Sequence, residues 1–189
     1  MIPRTLVVVT ACATLLLGAV VVVAAEASKA APAGKAAVTT RWEDLIPKEW
    51  DPTKPFRDLK LEMLRDSDPR VLQLMRDLRA TWDNAPTNPR LDGTPVRLPG
   101  YVVPLEVVQG DLREFLLVPY FGACIHTPPP PANQIVHVKV GQPLQGLRMM
   151  DAVWVNGTLR TERQDSVMGV SGYAIEGAVI ERYTPGPRP

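Results

Sequence analysis

Ile135-Val136-His137-Val138-Lys139-Val140 alternates with a period of two: its three valines fall on one face, and Ile135, His137 and Lys139 fall on the other. That is the pattern of a strand with one face toward a core. Working outward in both directions, β-branched and aromatic runs punctuated by Gly and Pro recur at 96–108, 115–120, 152–160 and 173–183. Gly100, Gly157 and Gly177 lie inside these runs, where a missing side chain suits a bulge or a tight bend. Five bent strands of this length favour closure over a flat sheet, because closure removes exposed edges. The expected fold is mainly β: a small OB-like five-stranded barrel over residues 94–184. Such barrels usually carry a helix between the third and fourth strands, but Gly141 to Met150 supplies at most one turn.

Ahead of the barrel, residues 41–93 read as a proline-rich irregular arm followed by a helix. Trp42, Leu45, Ile46 and Trp50 arrive among charges and are broken by Pro47, Pro52 and Pro55, which lack the amide donor that a helix needs. Asp68-Pro69 then reads as an N-cap with proline at the first helical position. Val71, Leu72, Met75, Leu78 and Trp82 follow at helical spacing, and this stripe is expected to pack on the core. The helix should stop near Asn84, before Pro86 and Pro89.

Residues 28–40 are small and polar and read as a flexible tether. Before them, no charged side chain occurs from Thr5 to Ala25, and small residues close the run at Val23-Ala24-Ala25 and Ala25-Glu26-Ala27. Residues 1–27 are therefore a signal peptide or an uncleaved N-terminal anchor, since the run is long for the first and almost long enough for the second. Val9-Thr10-Ala11-Cys12 has too short an apolar lead for a lipid-attachment box. Either reading exports the domain to the periplasm, with membrane contact only through the N-terminal segment. The exported part keeps one cysteine, Cys124, so no intramolecular disulfide is available to it. With 21 basic and 20 acidic residues, nothing in the charge balance attracts nucleic acid.

The passage richest in chemistry is Val118-Pro119-Tyr120-Phe121-Gly122-Ala123-Cys124-Ile125-His126-Thr127, followed by four prolines, 128–131. A proline run has no N–H groups to pair, so it forms a rigid loop between the second and third strands. If the chain is extended at Cys124-Ile125-His126, the thiol and imidazole point to one side. With His137 as a third ligand and Glu106 as the nearest carboxylate, that set suits zinc or copper. Two other readings stay open. Cys124 can be an ordinary buried thiol with both histidines hydrogen-bonded, or Cys124 and His126 can be a nucleophile and its base.

Taken with Trp42-Glu43-Asp44-Leu45-Ile46-Pro47 and Gly100-Tyr101-Val102-Val103-Pro104-Leu105-Glu106, the motif Phe115-Leu116-Leu117-Val118-Pro119-Tyr120-Phe121-Gly122-Ala123-Cys124-Ile125-His126 resembles a domain-of-unknown-function family of bacterial exported proteins. The resemblance spans about residues 42–180. It implies a periplasmic or lipoprotein-like protein, often encoded near ABC transporters, with a link to metal homeostasis suggested for some relatives, and it carries over no catalytic residue. The function expected is that of a non-enzymatic accessory or binding protein of the cell envelope serving an ABC-type transporter. The alternative is a periplasmic thiol-dependent enzyme or redox protein acting through Cys124.

Overall fold

The computed structural model describes residues 38–54, 57, 69–124 and 129–184. The N-terminal segment, Asp68 and His126 lie outside them. Among the described residues no helix is long and apolar enough to cross a membrane.

Chain order runs from a short strand β1 (Val38–Thr39) through a 3-10 turn (Trp42–Leu45) to the helix α1 (Pro69–Asp83). Strands β2 (Thr94–Val108), β3 (Asp111–Val118), β4 (Val136–Leu144) and β5 (Ala152–Arg160) follow, then a small hairpin of β6 (Gln164–Ser166) and β7 (Gly169–Ser171), and finally β8 (Tyr173–Arg182). The sheet order β2-β3-β4-β8-β5 is closed by pairing of β2 with β5, and β4 runs parallel to β8. This is the closed five-stranded barrel that the strand pattern predicts, with a Greek-key connection of the OB type. Closure is possible because the 15-residue β2 bends, its first half pairing with β5 and its second half with β3.

Glycine makes two of the bends. Gly177 has φ +63° and is the extra residue where the β4–β8 register shifts between Lys139 and Val140, so it forms a bulge. At Gly157 a Cβ would sit 2.4 Å from Ile175 Cγ2, so β5 crosses β8 there at a distance only glycine allows.

The interior holds Leu98, Val102, Phe115, Leu117, Val138 and Ile175, each fully buried. Several boundaries differ from expectation for local reasons. Sequence ends the first barrel strand at Val108 and restarts at Phe115, whereas Gln109 and Gly110 both take positive φ and close a two-residue hairpin, extending β3 back to Asp111. The tether stops short of Val38, because Val38 and Thr39 pair with Val96 and Arg97.

Two tertiary expectations separate. The arm does wrap the barrel: Leu45 is fully buried in the interior cluster, and the Trp42 indole N–H donates to the Pro99 carbonyl at 2.7 Å. The helical stripe does not enter the core. Pro69–Asp83 contains no buried residue, and Leu72 and Met75 are 63% and 55% exposed. Leu74, Met75, Leu78 and Trp82 instead line an open apolar groove against Pro52 and Thr53 of the arm. The 3.6-residue period located the helix correctly but says nothing about which neighbour covers its apolar face.

Candidate functional site

The outer wall of β3 and β4 is where the sequence places its chemistry, and it is not left bare. A second buried cluster, Val103, Leu116, Val118, Ala123 and Ile135, lies on this outer side, with Tyr101, Cys124, Met150 and Met168 half-buried against it. The cover is the loop after β3 together with Met150 and the β6–β7 hairpin. This second layer is why residues 136–138 are all buried although their side chains alternate between two faces.

The loop is held by its own backbone. Gly122 takes φ +86°, and its N–H donates to the Met150 sulfur at 3.2 Å. Ala123 is fully buried, and its N–H donates to the Tyr120 carbonyl at 3.4 Å. Pinned in this way, the loop turns Tyr120 and Phe121 outward, 45% and 67% exposed. The Phe121 ring meets Tyr101 edge-on, with centroids 5.8 Å apart.

Cys124 follows at φ +66°, in the left-handed region. The extended geometry that would align its thiol with His126 therefore fails at its first residue. The thiol is half-buried and forms no disulfide among the described residues. Burial pushes its pKa up to about 11, with the Arg79 guanidinium pulling weakly the other way. At neutral pH only about one thiol in ten thousand is ionised at such a value. A nucleophile needs the opposite shift, and a metal would have to displace that proton.

His137 is 5% exposed and sits opposite Leu116 in the β3–β4 register. Its Nε2 lies 3.4 Å from Glu114 Oε2, and Lys139 Nζ lies 3.8 Å from the other Glu114 oxygen. Nδ1 is buried with no hydrogen-bond partner among the described residues. Burial holds the imidazole pKa below its ordinary value; Glu114 and Glu162 oppose that shift, and Lys139 adds to it. Glu106 is exposed on β2, directly opposite Glu114. Its strand does neighbour the second barrel strand, but the carboxylate that reaches His137 is Glu114. Sequence reasoning missed Glu114, although its spacing of two from Leu116 puts it on the same face as His137. Among the described residues no group of three His, Cys, Asp or Glu side chains comes together as a metal site. Three sulfur side chains, Cys124, Met150 and Met168, do pack around one cluster.

A family model described as a protein of unknown function, DUF3299, matches residues 42–182. No curated protein matches the chain. Among solved structures, the crystal structure of a DUF3299 family protein from Pseudomonas aeruginosa PAO1 is similar at 34% identity and a TM-score of 0.61, covering 80% of this chain and 99% of that one.

Proposed function

This chain belongs to the DUF3299 family of proteins of unknown function, and we propose that it acts there as a non-enzymatic binding protein of the cell envelope, serving an ABC-type transporter as an accessory. The observation that carries the reading is the contrast within one loop. Its reactive group, Cys124, is half-buried and protonated, while its two aromatic rings, Tyr120 and Phe121, are turned to solvent on a pinned backbone. Exposed rings on a rigid loop suit recognition, because little conformational entropy is lost when they are covered. The thiol-enzyme alternative needs an ionised sulfur beside a base, and the burial of Cys124 opposes that.

Export is supported by the uncharged run from Thr5 to Ala25. Cell fractionation with protease access tests it, and a domain shielded in the cytoplasm would refute it. A metal-linked role draws its support from Cys124, Met150 and Met168, whose soft sulfurs favour copper, with His137, His126 and Glu106 as further candidate ligands for zinc or copper. Metal analysis of protein purified without chelator, alongside Cys124→Ser and His137→Ala, tests that part. Stoichiometric metal lost in either variant supports it, and metal-free protein with no affinity refutes it.

A further inference from the structure

On the barrel wall next to that loop, the arm, β2, β5 and the end of β8 enclose a groove of about 320 Å³. Its sides are Trp42, Tyr101, Trp154 and Tyr183, and Pro99 and Pro119 also line it. The register explains the shape. Pro99 pairs with Trp154 and Tyr101 pairs with Ala152, so the short Ala152 leaves a trough between the rings of Tyr101 and Trp154.

The rings are held before any ligand arrives. Arg97 Cζ lies 4.0 Å over the Trp154 ring, and its guanidinium is anchored by Glu181 at 3.0 Å. Tyr183 packs on the same indole at 5.8 Å, and Tyr101 is braced by Phe121. Trp42 is fixed through its bond to Pro99.

The polar inventory of the groove is small. No lining side chain carries a carboxylate, a carboxamide or a charge, so the planar polar groups that grip a sugar ring are missing. Beyond its rings the groove offers the hydroxyls of Tyr101 and Tyr183, which can donate or accept, and the indole N–H of Trp154, which only donates; none has a hydrogen-bond partner among the described residues. The Pro99 carbonyl is already taken by Trp42. A ligand that matches should be uncharged and apolar, with carbonyl acceptors to meet the indole N–H and the two hydroxyls. Proline-rich polypeptide in the polyproline conformation has that composition, since each proline keeps its carbonyl and lacks the amide hydrogen. Aromatic-lined grooves are how such segments are held elsewhere.

We infer that this groove binds an extended, proline-rich segment of a partner protein. The inference rests on the binding-module reading above and names the class of partner. The rings of Tyr101 and Phe121 touch, so the groove continues the exposed surface of the loop.

The test is titration of the full chain with L-decaproline, followed through the indole N–H resonances of its four tryptophans. A glycine-serine peptide of equal length is the control. The Trp154 and Trp42 signals should move saturably with decaproline alone, while those of Trp50 and Trp82, outside the groove, should stay. Trp154→Phe should weaken binding about tenfold and Tyr183→Phe severalfold, because a stacking surface and a donor are lost. Unmoved Trp50 and Trp82 resonances report that each variant is folded. The inference is overturned if decaproline fails to bind, if it binds without shifting Trp154, or if both variants bind as tightly as the parent. It is also overturned if binding emerges only after removal of residues 185–189, Pro-Gly-Pro-Arg-Pro, since the occupant is then this chain's own terminus. Failure here leaves the binding-module reading standing, because that reading depends on contact at Phe121.

Discussion

The Tyr173 hydroxyl donates to the Leu45 carbonyl at 2.7 Å, joining the last barrel strand to the proline-rich arm across 128 residues of sequence. The same hydroxyl accepts the Asn88 N–H at 2.5 Å, so one buried oxygen fixes two irregular segments. Leu45, seated in the barrel interior, supplies the apolar half of the same attachment.

Removing the hydroxyl with Tyr173→Phe leaves a carbonyl and an N–H without their partner, and should cost about 1–3 kcal/mol of stability. Leu45→Ala should cost about 2–5 kcal/mol, the range for truncating a buried leucine. Urea unfolding measures both. Stabilities equal to the parent would show that the arm is not part of the cooperative unit.

How much of this was legible in the sequence depended on the range of the interaction. Alternation at residues 135–140 and glycines at 157 and 177 report local backbone geometry, and the barrel followed from them. The Gln109-Gly110 turn was missed because glutamine gives no turn signal of its own. The outer layer was missed for a different reason: Ala123, Met150 and Met168 come from three separate loops, and no local period records that they converge on Leu116. The candidate site shifted accordingly. His137 stands on the wall where the alternation puts it, whereas Glu106 reaches that wall only through the register shift between Pro104 and Glu106, and the positive φ of Cys124 and the proximity of Glu114 to His137 are tertiary facts.

Gly157→Ala should destabilise by about 1–3 kcal/mol, as overpacking does, because the new methyl meets Ile175 Cγ2. A double-mutant cycle with Ile175→Ala checks the cause. The second change should cost less in the Gly157→Ala background than in the parent, a coupling expected of contacting residues. Additive effects would place the strain elsewhere.

Acidification should weaken the fold through His137. Its folded-state pKa lies below 6.5 because of burial, so the unfolded chain takes up the proton first. The stability contributed by the neutral imidazole is fully present above 6.5 and is lost as pH falls from there through the folded value. Urea midpoints at pH 7.5 and pH 5.5, taken as about one unit either side of the ordinary histidine value, read the effect. His137→Asn should shrink the difference and His126→Ala should leave it. The reverse pattern would assign the pH response to His126.

Cys124 should resist iodoacetamide in the folded protein and react fast once unfolded, because the thiolate is the reacting form and burial holds the pKa near 11. The native rate should climb with pH up to about that value. Prompt stoichiometric labelling at pH 7 would restore the thiol-enzyme reading.

The central claim is that the exposed rings of the pinned loop, and not the thiol beside them, meet another molecule. A photo-crosslinking amino acid placed at Phe121 in living cells tests it most directly, with Val167, 99% exposed on the β6–β7 hairpin, as the control position. The account expects a discrete protein adduct from position 121, none from position 167, and an undiminished yield when Cys124→Ser is added. No adduct at 121, equal adducts at both positions, or loss of the adduct with the thiol would contradict it.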